Sequence, residues 1–169
     1  MTTTSVPVLR SARLTLRGLR ESDHAALLDL ARDTDVARYL HEGPPPSAAD
    51  IAARVARAQT HWELRGYGMM AVDDDRGFTG RAGVYHPAEL ADPLLVYAFQ
   101  RRCWGKGYAT EAVGRLLEWL ASRHAPLRLL AHIDPLNTAS EHVVEKLGAA
   151  RIGTTLRGDI ELNVWAFSV

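Results

Sequence analysis

The stretch best suited to chemistry is Arg101-Arg102-Cys103-Trp104-Gly105-Lys106-Gly107-Tyr108-Ala109. Its two glycines lack a Cβ, so the backbone there can come close to a ligand. The apolar spacing that begins at Ala109 predicts a helix. A helix N-terminus offers unpaired N–H groups and the positive end of the helix dipole. Arg101, Arg102 and Lys106 add positive charge, and no acidic residue lies between Pro93 and Thr110. Together these suit a phosphate or pyrophosphate. The loop is not a P-loop, because Lys106 sits between the glycines instead of after them. It is not a dinucleotide fingerprint either, because the third glycine position is Thr110. A bare Gly-x-Gly also serves as a tight connection, so the loop alone leaves both readings open.

Composition narrows the field. The chain has 169 residues, and its 20 basic side chains cancel its 20 acidic ones. Eighteen of the basic residues are arginine, and the only lysines are Lys106 and Lys146. With abundant alanine, that bias points to a GC-rich genome and not to a function. Net neutrality argues against a nucleic-acid partner, which selects for a basic excess. The single cysteine, Cys103, can form neither an intrachain disulfide nor a thiolate zinc cluster. The histidines form no metal-spaced cluster, so no metal is expected. The 24% charged and 47% hydrophobic residues are those of a soluble globular protein. No segment approaches the ~20 apolar residues that span a bilayer. Met1 to Pro7 is short and polar, unlike a signal peptide. The expectation is a cytoplasmic chain, residues 1–169 forming one domain with no membrane partner.

The elements that must position the loop follow from periodicity. Arg13-Leu14-Thr15-Leu16-Arg17 alternates with period two and predicts a strand. Ser22-Asp23 offers an N-cap for a helix through Leu27, Leu28 and Ala31. Asp33 and Asp35 flank a short helix carrying Val36, Tyr39 and Leu40, which the prolines at 44–46 stop. Ser47, with Asp50 three residues on, caps a helix whose face is Ile51, Val55, Ala58 and Trp62. Met69 to Val72 and Gly80 to Tyr85 predict a hairpin around the Asp-rich turn. Leu94 to Phe99 is apolar throughout, as a strand covered on both faces should be. After the loop, Ala112, Val113, Leu116, Leu117 and Leu120 mark a helix face. Leu127 to Ile133 reads as a strand, and Asn137 opens a helix that ends at Gly148. Ala150 to Leu156 and Ile160 to Phe167 read as a closing hairpin. The result is a mixed α/β chain with a largely antiparallel sheet. The strand–helix–strand step from Val96 to Ile133 should give a central parallel pair.

The segment Arg102-x-x-Gly105-x-Gly107, followed by Tyr108-Ala109-Thr110-Glu111-Ala112, resembles the acyl-coenzyme-A loop of the GNAT N-acetyltransferase superfamily. Trp104-Gly105-Lys106-Gly107-Tyr108-Ala109 resembles the branch named for the ribosomal-protein acetyltransferases RimJ and RimL. Arg13 to Arg17, Gly80 to Val84, and Asn137-x-x-Ser140 running to Glu145-Lys146-Leu147-Gly148 resemble that branch in the same order. The resemblance implies the GNAT fold: a mostly antiparallel sheet, helices on both faces, and a central parallel pair splayed around acetyl-coenzyme A.

The resemblance also implies roles. Pantetheine would pair with the backbone of Tyr97, Ala98 and Phe99. The pyrophosphate would take N–H groups from Gly105, Gly107, Tyr108 and Ala109, near Arg101, Arg102 and Lys106. Asn137 would hold pantetheine across the gap, and a primary amine, a protein N-terminus or a small molecule, would attack the thioester directly. Other branches place an acidic tyrosine at the position of Val144; here Ser140 is the candidate acid. His132, five residues before Asn137, is the candidate base, since an imidazole titrates near neutrality. A glutamate frequent in the branch is replaced by Leu94, and Glu42 is the candidate partner for the acceptor amine. Cys103 is expected to point away from the thioester. Closing hairpins in this family often pair, which leaves a homodimer among the expected assemblies. The competing reading is a non-catalytic coenzyme-A-binding regulatory or interaction module.

Overall fold

A computed structural model describes residues 5–169. The reading of the N-terminal segment falls in part on residues 1–4, which lie outside the described residues. The strands are β1 (Leu9–Arg10), β2 (Thr15–Gly18), β3 (Met69–Asp74), β4 (Gly77–Tyr85), β5 (Leu94–Phe99), β6 (Arg128–Ile133), β7 (Ala150–Arg157) and β8 (Ile160–Ser168). The helices are α1 (His24–Arg32), α2 (Thr34–Ala37), α3 (Ala48–Arg65), α4 (Tyr108–His124) and α5 (Thr138–Lys146). The strands form one sheet in the order β1-β2-β3-β4-β5-β6-β8-β7. Every neighbouring pair is antiparallel except β5 and β6.

Helices cover both faces of this sheet. Along β5, Leu95 and Phe99 are buried with Ala112, Val113 and Leu116 of α4. Ala98 is buried with Leu30 of α1 and Val36 of α2. Side chains alternate along a strand, so these groups lie on opposite faces. That explains the unbroken apolar run from Leu94 to Phe99. Val96 and Tyr97 are only half-buried, because they border an opening in the sheet.

The opening arises where the parallel pair parts. The Leu130 N–H donates to the Pro93 carbonyl at 2.9 Å. Leu94 and Leu130 are the only residues in register between β5 and β6. Past them the two strands share no backbone pairing, leaving the C-terminal halves of both strands with free edges.

Several local readings change. Ser47 and Asp50 do form a reciprocal capping box on α3. Asp23, by contrast, makes no side-chain cap at the start of α1, and Glu21–Asp23 is a short 3₁₀ turn. The Asp23 carboxylate instead takes the Arg17 guanidinium at 2.8 Å. The Asp-rich turn is also shorter than expected, because β3 runs on to Asp74 and β4 starts at Gly77. Ion pairs explain this: Asp73 binds Arg17 at 2.6 Å and Asp74 binds Arg102 at 2.7 Å. The helix predicted through Leu40 ends at Ala37, so Tyr39 and Leu40 lie beyond it. Gly80 has a packing reason to lack a side chain: an added Cβ would overlap the Ala98 carbonyl oxygen.

Candidate functional site

The free edge of β5 is set by backbone alternation. Pro93 turns its carbonyl to β6, whereas the Gln100 N–H donates to Thr79 at the start of the β4 side, 2.8 Å away. Odd-numbered residues of β5 therefore face β6 and even-numbered ones face β4. Tyr97 and Phe99 present their backbone groups to the gap. Ala98 does not: its carbonyl points at Gly80. Of the three residues expected to pair with a ligand strand, Tyr97 and Phe99 are thus the ones whose backbone groups border the gap, while those of Ala98 face β4. The Phe99 carbonyl is already held by the Trp104 indole N–H at 2.8 Å. Trp104 thus ties the loop back to the strand end and stays 49% exposed.

Gly105 and Gly107 both have positive φ, 68° and 78°, where an L side chain is strained. The space above Gly105 is open, with nothing within 4 Å of an added Cβ. Gly107 is the N-cap of α4 and supplies no side-chain cap, so among the described residues the N–H groups of the first turn, from Tyr108 and Ala109 onward, have no side-chain partner. Glu111 would oppose an anion here, but its carboxylate is taken by Ser11, by the Arg13 backbone and by the Arg13 guanidinium, each at 2.7 Å. Burial works to raise the Glu111 carboxyl, and these donors more than offset it, holding it below the usual range. Arg13 also donates to the Lys106 carbonyl at 2.9 Å and lies 4.8 Å over the Tyr108 ring.

The positive charge of the loop is less free than its sequence implies. Arg101 pairs with Asp33 and Asp35, both at 2.9 Å. Arg102 pairs with Asp74 and donates to the Gln100 side chain and the Phe78 carbonyl. Asp33 is the N-cap of α2, Asp35 lies within α2 and Asp74 ends β3, all far off in the sequence. Both arginines are thus shared with distant acids, which partly neutralises the positive charge of the loop. Among the described residues, Lys106 enters no ion pair. Cys103 is 2% exposed, and burial pushes its thiol up.

The gap opens into a cavity of about 1000 Å³ lined by Glu42, Tyr97, His132, Asn137, Ser140 and Arg157, among others. Burial first, and then Arg157, push the His132 imidazole below its ordinary value. The Asn137 side-chain oxygen accepts the Ser140 N–H at 3.2 Å and so caps α5. Among the described residues its amide N–H groups meet no hydrogen-bond partner. The Tyr97 hydroxyl crosses from β5 to donate to the Ser140 carbonyl at 3.1 Å. Burial pushes that phenol up to about 12, so it stays protonated. Val144 is wholly buried and Leu94 nearly so, which places two apolar side chains at these positions. Glu42 is held by Arg54 at 2.8 Å and by Arg81. Burial would raise its carboxyl, but Arg81 and Arg54 prevail and keep it ionised.

Sequence reasoning did not find the cavity arginines Arg54, Arg81 and Arg157, the Tyr97 hydroxyl, or the Arg13–Glu111 and Arg102–Asp74 ties. The one local signal was the Asp73-Asp74 doublet beside an arginine-rich strand.

Residues 13–150 match the family model described as Acetyltransferase (GNAT) domain. The chain belongs to the GNAT acetyltransferase family. The uncharacterised protein YkkB of Bacillus subtilis is 33% identical over 147 residues, 80% of this chain and 81% of that protein. The acetyltransferase of Agrobacterium tumefaciens has the same fold at a TM-score of 0.82 and 26% identity, covering 98% of this chain and 96% of that one. The ribosomal L7/L12 α-N-protein acetyltransferase RimL, in complex with coenzyme A, is 20% identical with a TM-score of 0.82 over 96% of this chain and 98% of its own. No helix among the described residues is long and apolar enough to cross a membrane. The GNAT assignment gives the open helix start and the free β5 edge a shared ligand class. An uncapped N-terminus beside two left-handed glycines fits a pyrophosphate, and a free strand edge fits an amide-bearing arm such as pantetheine.

Proposed function

We propose that this chain, acting as one domain, is an acetyl-coenzyme-A-dependent N-acetyltransferase whose acceptor is a primary amine attacking directly in a ternary complex. The observation that carries the reading is the parting of β5 and β6 past Leu94 and Leu130, directly beside the uncapped start of α4. Acetyl-coenzyme A supplies an activated acetyl thioester. Gly105, Gly107, Tyr108 and Ala109 would hold its pyrophosphate through backbone N–H groups, with Lys106 adding charge. Tyr97 and the Phe99 N–H would hold its arm, and the Asn137 amide would bind from the opposite wall. The Phe99 N–H would also stabilise the oxyanion, a role of preorganised donors that raises rates by ~10²–10³. His132 would accept the proton from the amine, and the Ser140 hydroxyl would protonate the departing thiolate. Cys103 takes no part, since its thiol is buried and held protonated. Such a protein needs no membrane and works in the cytoplasm.

The test is thiol release from acetyl-coenzyme A with a panel of primary amines, with the acetylated product identified by mass. At least one amine should turn over, and initial-rate lines should intersect as a ternary complex requires. Parallel lines would point to a covalent relay. Coenzyme A binding without turnover on any amine would favour the non-catalytic module.

A further inference from the structure

The cavity is not electrically neutral. Four arginines line it, Arg54, Arg57, Arg81 and Arg157, against two carboxylates, Glu42 and Glu89. Glu42 is already shared by Arg54 and Arg81. Among the described residues, Arg57 and Arg157 have no carboxylate partner within ion-pair distance. At the base of the cavity, where an acid could meet an ammonium, Leu94 is apolar and buried. An acceptor amine enters mostly as an ammonium. Of the two lining carboxylates, Glu42 is shared by two arginines. Glu89, which enters no ion pair among the described residues, is exposed to solvent between β4 and β5, so the lining keeps a net positive charge. A polycation would meet like charge, which is costly in a partly buried site.

We infer that the acceptor is a small primary amine that also carries an anionic group, a carboxylate or a phosphate, which sits against Arg157 while the amine faces His132. This rests on the acetyltransferase reading above. Arg157 and His132 border the same cavity, from β7 and β6. An amine with its own anion brings the counter-charge that the lining lacks, and a guanidinium matches a carboxylate or phosphate through parallel N–H donors. The anion would also offset the Arg157 charge that weakens His132 as a base.

Size follows from how the wall is fastened. Arg157 donates to the Leu40 carbonyl at 3.0 Å, and the His41 imidazole meets Asp134 at 2.7 Å. These two ties hold the 40–41 segment across the ends of β7 and β6, which encloses the cavity on that side. A compact acceptor suits this better than a chain that must run out through the wall.

The test compares kcat/KM for four acceptors of similar size: an α-amino acid, its carboxamide, an aminoalkyl phosphate and a diamine. At least one anionic acceptor should exceed both the carboxamide and the diamine by tenfold or more, and the better of the two identifies the anion. Arg157→Gln should erase most of that preference through KM, and Arg157→Lys should restore part of it. Arg57→Gln, on the exposed side of α3, provides a second reading should Arg157→Gln fail to fold. Equal or better use of the carboxamide or diamine overturns this inference and leaves the acetyltransferase reading intact. Turnover of none of the four, nor of any other amine, overturns both.

Discussion

At His132 two effects act in the same direction. Burial disfavours the imidazolium, and the Arg157 charge disfavours it further. The ring therefore stays neutral, and able to accept a proton, further into acid than a free imidazole does. A base works only when unprotonated, so kcat/KM should hold steady above the ordinary histidine value of 6.5 and fall only below it. His132→Ala should remove that acid limb and lower kcat/KM by at least ~100-fold, because general base catalysis contributes ~10²–10⁴. A pH–rate profile near that of the wild type would sink the assignment. Cys103 stands at the other extreme. Its thiol is buried and pushed up, so Cys103→Ala should keep most activity. Loss of most turnover, with the fold intact by circular dichroism, would put a covalent relay back in play.

Among the elements, the start of α4 is built by contacts distant in sequence. The loop Gly105-Lys106-Gly107 could be read from its glycines and the helix after it, because both are local. The ties that fix it could not, because Arg13 meets Glu111 across 98 positions and Arg102 meets Asp74 across 28. The same limit hid the cavity arginines: Arg54 and Arg57 lie on α3, Arg81 on β4 and Arg157 on β7, and only the tertiary fold brings these three elements together. The strands from β2 to β8 and most helices were legible because their periodicity is local, and the parallel pair followed from the strand–helix–strand step. β1 was not, since two residues carry no period. Val96 read as ordinary core because an apolar strand beside a ligand gap looks like one covered by helices, and only the family resemblance, not the apolar pattern, pointed to a ligand at Tyr97. Glu111→Gln tests the clamp on α4. It loses charge-assisted hydrogen bonds from Arg13, and such bonds are worth about 1.5–3 kcal/mol. The KM for acetyl-coenzyme A should rise about tenfold or more, each factor of ten being ~1.4 kcal/mol, with kcat changing less. An unchanged KM would mean that the loop holds its shape without Arg13. Gly80→Ala probes the β4–β5 contact. Its Cβ would overlap the Ala98 carbonyl and crowd the Phe99 Cα. Overpacking costs about 1–3 kcal/mol, which for this chain length lowers Tm by on the order of 2–12 °C. A Tm within 1 °C of wild type would contradict the packing.

For the whole molecule, the buried charges and the buried neutral groups together define a window of pH stability. Asp23, Asp74 and Glu111 all sit below their ordinary values of 3.8, 3.8 and 4.5. A carboxyl depressed in the fold contributes stability above its unfolded value and loses it as pH falls through the folded one. His61 and His132 lie below 6.5, chiefly because burial disfavours their charged forms. Below that pH the unfolded chain takes up protons that the fold refuses, so stability starts to fall there and falls again once the carboxyls protonate. At the alkaline end the sign reverses. Cys103 and Tyr67 are raised from 9.0 and 10.0, and Tyr97 is raised to about 12, in each case mainly by burial. Their contribution is complete below the unfolded values and is lost as pH rises through the folded ones. Tm should therefore form a plateau between about 6.5 and 9, decline in two stages on the acid side and in one on the alkaline side. His61→Phe isolates the first acid stage. His61 accepts the His86 N–H at 3.2 Å and donates to the Tyr67 carbonyl at 2.8 Å, which requires the neutral ring. The variant should lose stability at pH 8 while its Tm changes less between pH 7 and 5 than that of wild type. An identical slope over that interval would show that His61 does not set the first stage.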